Sequence, residues 1–248
     1  MPKIYKVGGC VRDRLLGTDT KDIDFTFVLD DLSGTPDEGF ANMSDHLRSE
    51  SFEIFLSTPD CFTVRAKFPK SHKFAGLTAD FVMARKELGY TDDSRKPIIT
   101  LGTLEDDLAR RDFTVNAIAE TEDGELIDIF DGQKHLAEKV LVTPLDPVVT
   151  FSDDPLRILR AFRFSITKGF KIREDVWSAM TRSELVEKLC TTVSAERVRE
   201  EMFKAFQHDT LGTIRLLNVF DKDCPELVSA IFDRDLWLKP TFEIVKRK

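Results

Sequence analysis

Apolar and polar positions change their rhythm along the chain. Short alternating runs dominate the first part, with Ile4 to Val7, Ile23 to Leu29, Phe52 to Leu56, Phe62 to Phe68, Ala79 to Ala84 and Leu126 to Ile129 each reading as a strand. Gly8-Gly9 separates the first strand from a short helix, Cys10 to Leu16, for which Gly17 is the expected C-cap. Lys86 to Thr100, rich in Asp, Ser, Lys and Pro, reads as a flexible loop, and a helix is expected over about Thr103 to Ala119. Beyond Pro144 and Pro147 the period becomes helical, predicting helices near 153–168, 174–190, 194–208 and 210–220. In the first of these, Ser152 or Asp153 is the expected N-cap, Pro155 falls in the first turn, and Leu156, Leu159, Phe162 and Ile166 recur near helical spacing. Ser194 is the expected cap of the third. The chain thus reads as α+β: a mixed sheet with helices over 1–140, then an all-helical part over 141–248, the change falling between 135 and 150.

Composition agrees with a globular chain: 42% of its 248 residues are apolar and 32% charged. No apolar run approaches the ~20 residues of a membrane helix, and the opening MPKIYKVGG lacks a charged-then-apolar leader, so a cytoplasmic protein is expected. Cys10, Cys61, Cys190 and Cys224 stand far apart, which argues against a disulfide framework or a structural zinc site. The net charge of -8 is unevenly divided: residues 1–150 hold 18 Lys+Arg against 28 Asp+Glu, residues 151–248 hold 18 against 16. An acidic half suits a site that handles cations and triphosphate, and a mildly basic half suits a polyanion, although such asymmetry is common.

Asp22 and Asp24 lie two apart in KDIDFTFV, so on a strand both carboxylates share a face and can hold a divalent cation jointly. Alone, such a pair is more often an acidic turn entering a strand. The nearby Gly8-Gly9 turn, which lets backbone approach a ligand, and Arg12, a fixed cationic fork suited to phosphate, raise its value. The plain alternative is a tight strand-to-helix turn with Arg12 paired to Asp13 or left in solvent.

Five segments in order, GGCVRDRLLG (8–17) with KDIDF (21–25), LEDDLARRDFTVNAIA (104–119), DDPLRILRAFRF (153–164) and SAERVREE (194–201), resemble the motifs of class II tRNA nucleotidyltransferases. That family comprises the CCA-adding enzymes and the related bacterial poly(A) polymerases. The resemblance implies a polymerase-β-type head followed by a helical neck. It also implies template-independent addition of C and A from CTP and ATP to the 3' end of tRNA, with Mg2+ as cofactor. By position, Asp22 and Asp24 match the catalytic, metal-binding carboxylates, with Asp80 a possible third. Gly8, Gly9, Arg12 and Arg111 match nucleotide-contacting positions, and Asp112 and Asn116 match the rest of that nucleotide-binding motif, to orient Arg111 or touch the sugar. Asp154 and Arg157 match the pair facing the base edge, with Arg160 and Arg163 as further nucleotide positions. A carboxylate only accepts and a guanidinium only donates, so such a pair suits the amine and ring acceptor of cytosine or adenine and opposes the carbonyl of uracil or guanine.

The loop 86–100 is expected to reposition the site when the required base changes from C to A. Arg173, Arg182, Lys188, Arg197, Arg199, Lys204 and Lys246-Arg247-Lys248 are candidate RNA phosphate contacts, although each by itself reads equally as a solvated surface or a frayed end. Asp153 stands where the family usually has Glu. The chain also stops soon after DCPEL (223–227), short of the helices with which typical members grip tRNA. Poly(A) tailing, addition of CC or A alone, and a non-catalytic remnant that binds RNA or nucleotide remain as alternatives. The residues leave oligomeric state open.

Overall fold

The computed structural model describes residues 2–18, 20, 23–90 and 97–233. It divides into two compact units, residues 1–138 with 142–145, and residues 139–141 with 146–248.

In the first unit the elements are β1 (Lys3–Val7), α1 (Gly9–Leu15), β2 (Asp24–Val28), α2 (Pro36–Ser49), β3 (Glu53–Thr58), β4 (Thr63–Lys67), β5 (Thr78–Met83), β6 (Arg85–Tyr90), β7 (Pro97–Leu101), α3 (Leu104–Ala109), β8 (Ala119–Glu120), β9 (Leu126–Ile127) and α4 (Gly132–Glu138). Seven strands form one mixed sheet in the order β3-β4-β5-β2-β1-β8-β9, parallel only between β2 and β5. Alternation along β2 sends Phe25 and Phe27 to one face and Asp24 and Thr26 to the other. The aromatic face joins Phe81, Met83, Val64 and Ala66 under Phe40, Met43 and Leu47 of α2. Phe27 and Phe81 are fully buried, each contributing about 1.5–3 kcal/mol by leaving water. The opposite face is where α3 lies: its Leu108 packs with Val7, Ala117 and Ala119, while the polar face of β2 meets charged side chains.

Helix α2 is not among the expected elements. It begins with a reciprocal cap, in which Glu38 N donates to Thr35 Oγ1 (3.3 Å) and Thr35 N donates to Glu38 Oε2 (2.8 Å). Two expectations need correction. Residues 86–100 are not a loop throughout, because β6 and β7 pair antiparallel in a hairpin, from Arg85 opposite Leu101 to Tyr90 opposite Pro97. Cross-strand backbone bonds and the β-branched run Ile98-Ile99-Thr100 outweigh the polar composition. Residues 91–96 lie outside the described residues. The helix expected over 103–119 stops at Ala109. Phe113 is extended (φ -136°), Asp112 Oδ1 accepts from Phe113 N (2.8 Å), and a single 3-10 turn over Thr114–Asn116 leads to β8. The Asx-type bond competes with helix continuation, as short polar side chains do.

The second unit holds β10 (Val140–Leu141), α5 (Pro147–Asp153), α6 (Leu156–Lys168), β11 (Lys171–Ile172), α7 (Glu174–Met180), α8 (Ser183–Thr192), α9 (Ala195–His208), α10 (Thr210–Asp223) and α11 (Pro225–Phe232). The small β10-β11 pair qualifies the all-helical expectation. The helix expected over 174–190 is two, broken at Thr181-Arg182. Asp153 ends α5 and does not cap α6; Pro155 stands at the N-cap of α6, and Asp154 Oδ1 accepts from Leu156 N (3.2 Å). Ser194 caps α9, accepting from Arg197 N (3.4 Å). Phe162, Phe220 and Trp177 meet in the core, with Trp177 and Phe220 stacked at 4.2 Å between centroids.

Candidate active site

Gly8 sits at the junction of β1 and α1 with φ +78° and ψ -140°, a backbone region open to glycine and strained for other residues. A Cβ built there would lie 3.0 Å from Arg111 Nη1 and 3.7 Å from Asp24 Oδ2. One turn therefore brings together a guanidinium from beyond α3 and a carboxylate from the first residue of β2, although the three positions are far apart in sequence. Gly9 opens α1, and a Cβ there would meet Arg12 Nη2 at 3.5 Å.

Beneath the turn lies a buried polar chain. Arg12, 6% exposed, donates from Nε and Nη2 to the two carboxylate oxygens of Asp13 (2.9 Å each) and from Nη1 to Asn116 Oδ1 (2.5 Å). Asn116 Nδ2 donates in turn to Asp112 Oδ1 (2.8 Å). The structure thus joins Arg12, Asp112 and Asn116, all buried, in one network under the Gly8-Gly9 turn. The pairing of Arg12 with Asp13, the plain alternative to a phosphate-binding fork, is present.

Arg111 is anchored by groups the sequence expectations did not include. Its Nη2 donates to Asp107 Oδ2 (2.9 Å) and lies 3.3 Å from Thr26 Oγ1, and the Thr26 hydroxyl donates to the same Asp107 oxygen (2.7 Å). The other oxygen of Asp107 accepts from Arg110. Burial alone would raise the carboxyl of Asp107, which is fully enclosed; the two guanidiniums and the Thr26 hydrogen bond outweigh it and hold the group well below the usual carboxylate range. Sequence carried a signal for both residues. Asp107 is four before Arg111 on a helix, and Thr26 is two after Asp24 on a strand.

Asp80 is directly opposite Asp24 across the parallel β2-β5 pair, so the two carboxylates share a face. Arg65, opposite Asp80 on β4, binds it through two 2.6 Å hydrogen bonds. Asp22 lies outside the described residues. No group of three or more His, Cys, Asp or Glu side chains able to hold a metal occurs among the described residues. A divalent cation of the Mg2+ type needs few protein ligands, all hard oxygens, and completes its shell with water and phosphate. The half-buried Asp24 carboxylate beside Gly8 fits that demand.

In the second unit Asp154 and Arg157 flank the α5-α6 corner. Asp154 Oδ2 is 3.5 Å from Arg197 Nη2, and Arg157 Nη1 donates to the Thr150 carbonyl (3.0 Å). Arg163 donates from Nε to Glu201 Oε2 of α9 (2.5 Å) and lies over the Phe164 ring at 4.2 Å, with Arg160 5.7 Å from the same ring. The four positions are thereby divided: Asp154 and Arg157 stay near the corner, while Arg163 is drawn into the helix-helix contact.

Residues 4–142 match the family described as the poly A polymerase head domain. The tRNA nucleotidyltransferase cca2 of Schizosaccharomyces pombe is 38% identical over 213 residues, which cover 82% of this chain and 43% of the relative. Among solved structures, the CCA-adding enzyme of Bacillus stearothermophilus in complex with CTP is 27% identical, with a TM-score of 0.69 over 95% of this chain and 53% of its own. A tRNA nucleotidyltransferase complexed with a primer tRNA and an incoming ATP analog is likewise 27% identical, with a TM-score of 0.67 over 94% of this chain and 60% of its own. The chain spans less than half the length of that curated relative. The glycine turn flanked by Asp24 and Arg111, the sheet that carries it and these likenesses agree: the chain belongs to the poly A polymerase head domain family.

Proposed function

We propose that this protein transfers nucleotides from CTP and ATP to the 3' end of tRNA without a template. The observation that carries this reading is the Gly8 turn, where the Arg111 guanidinium and the Asp24 carboxylate lie 3.0 and 3.7 Å from the place a Cβ would take. A triphosphate needs such a combination of cationic donor, close backbone approach and a carboxylate able to hold its cation. The solved relatives bound to CTP, or to a primer tRNA and an ATP analog, support the choice of substrates.

In this reading the RNA 3' hydroxyl attacks the α-phosphate, a new phosphodiester bond forms, and the bond to the β-phosphate breaks to release pyrophosphate. Asp22 and Asp24 hold Mg2+, which when bound supplies charge neutralisation and acidifies the attacking hydroxyl. Gly8 and Gly9 give the phosphates access to backbone, Arg111 donates to them, and the buried Arg12-Asn116-Asp112 chain keeps the turn in shape. Asp154 and Arg157 read the base edge as an acceptor and a donor, which favours C and A. Arg160 and Arg163 support them, Arg163 from its pair with Glu201. No described helix is long and apolar enough to cross a membrane, and the four cysteines are free thiols; a cytoplasmic location belongs to the same reading.

The test is primer extension with Mg2+ on tRNA transcripts ending before, within and after CCA, with each nucleotide singly and all together. Addition of only the missing nucleotides is expected, and Asp24→Asn should abolish it while leaving the fold intact. Long A tracts on any RNA would replace this reading with poly(A) synthesis. No incorporation despite nucleotide binding would leave a binding protein only.

A further inference from the structure

We infer that Asp107 and Thr26 form a clamp that fixes the Arg111 guanidinium against the Gly8 turn, which makes both of them positioning residues for the triphosphate. This rests on the nucleotidyl-transfer reading of the same turn.

Three elements meet in the clamp: Thr26 from β2, Asp107 from α3 and Arg111 just beyond it. Their contacts close a ring, since the Thr26 hydroxyl and Arg111 Nη2 both donate to Asp107 Oδ2 (2.7 and 2.9 Å), and Nη2 also meets Thr26 Oγ1 at 3.3 Å. A hydroxyl has one proton to give. Thr26 gives it to the carboxylate and turns a lone pair toward the guanidinium, so each member of the ring orients the other two.

The division of labour within Arg111 is the informative feature. Nη2 is consumed by the clamp, and Nε is buried with no hydrogen-bond partner among the described residues. Nη1 is the nitrogen that faces Gly8, and its contact with the Asn116 carbonyl is long, at 3.5 Å. The clamp therefore grips one edge of the planar fork and presents the other to the turn. Charge points the same way. Asp107 has no exposed surface and sits between the guanidiniums of Arg110 and Arg111, so the trio carries one net positive charge beside Asp24. A long arginine side chain held in this manner loses its freedom before the ligand arrives, and the ligand then binds a donor already aimed.

The Thr26–Asp107 hydrogen bond also ties α3 to β2, so the urea midpoint reports that tie, and nucleotide binding together with the Arg111 fork reports the clamp. The Thr26 variants separate hydroxyl from shape. Thr26→Ser keeps the hydroxyl and loses a methyl; Thr26→Val keeps the shape and loses the hydroxyl. Binding of ATP and CTP is to be measured for both variants and for Asp107→Asn, with urea midpoints alongside. A second readout needs no ligand: side-chain 15N NMR of Arg111, whose two Nη signals stay separate when rotation of the fork is blocked.

The clamp predicts that Thr26→Ser binds like the unmodified protein with separate Nη signals. Thr26→Val and Asp107→Asn should bind roughly tenfold or more weakly with averaged signals, as expected when a charged hydrogen bond is lost. Thr26→Val binding as well as Thr26→Ser, or averaged signals in the unmodified protein, would overturn the inference. If the unmodified protein keeps separate signals yet binds neither nucleotide, the clamp stands as geometry and the triphosphate reading fails. Should Asp107→Asn unfold, the Ser and Val pair alone decides.

Discussion

Gly8→Ala places a methyl close to both Asp24 and Arg111, and Gly17→Ala provides a control. Both glycines have positive φ, +78° and +71°, but a Cβ at Gly17 meets nothing within 4 Å. Conformational strain should destabilise both variants, by about 1–3 kcal/mol, with the larger cost at Gly8, whose ψ of -140° lies near a region almost reserved for glycine. The contact at Gly8 adds a second difference. A methyl 3.0 Å from Arg111 Nη1 is about 0.5 Å inside comfortable van der Waals distance, so the guanidinium must retreat. Its bonds to Asp107 (2.9 Å) and Thr26 (3.3 Å) oppose that retreat. Displacing a phosphate donor by a fraction of an ångström to an ångström lowers transfer by about a hundredfold. Single-turnover CTP incorporation on a tRNA transcript lacking CCA, read beside urea midpoints, separates the effects. Gly17→Ala should lose stability and keep its rate in conditions where it is folded, and Gly8→Ala should lose both. Equal rates in the two variants would refute the assignment of the Gly8 turn to the reacting triphosphate.

In the second unit, Glu201→Ala leaves Arg163 without its 2.5 Å partner in a largely buried position and should destabilise the unit by about 3 kcal/mol, read as a lowered urea midpoint. An unchanged midpoint would mean that the pair contributes nothing to holding α6 against α9. Because the carboxyl of Asp107 is held below its ordinary value, the unfolded chain takes up this proton first. Its contribution is complete above about pH 4 and is lost as pH falls from there toward the folded value, so Asp107→Asn should flatten the acid limb of stability below about pH 4. An acid limb as steep as that of the unmodified protein would count against the charged pairing. Asp154→Ala should raise UTP and GTP incorporation relative to CTP and ATP by at least about tenfold, scored with single nucleotides; unchanged selectivity would remove Asp154 from base reading.

The alternation of β1, β2, β4 and β5, the Gly8-Gly9 turn and the helical period after Pro147 were legible because each depends on neighbours a few residues away. So were the cap at Ser194 and the family itself, since motif order survives without three-dimensional information; the C-cap of α1 is Leu16, with positive-φ Gly17 one residue beyond it. Contacts between distant segments decided the rest. The helical pattern expected through RRDFTVNA ends at Ala109, and Arg111, just beyond it, meets Thr26 of β2. The hairpin of β6 and β7 formed where composition suggested a loop, because backbone pairing across the strands is invisible to a local count. Asp80 lies beside Asp24 through a parallel pairing that no spacing announces, and Arg65 reaches it from a third strand. Residue types and short spacings follow from the chain alone. Which guanidinium meets which carboxylate, and which edge of Arg111 is left for the turn, follow only from the packing of α3 against the sheet, which sets Thr26 and Asp107 on one edge of Arg111 and Gly8 on the other.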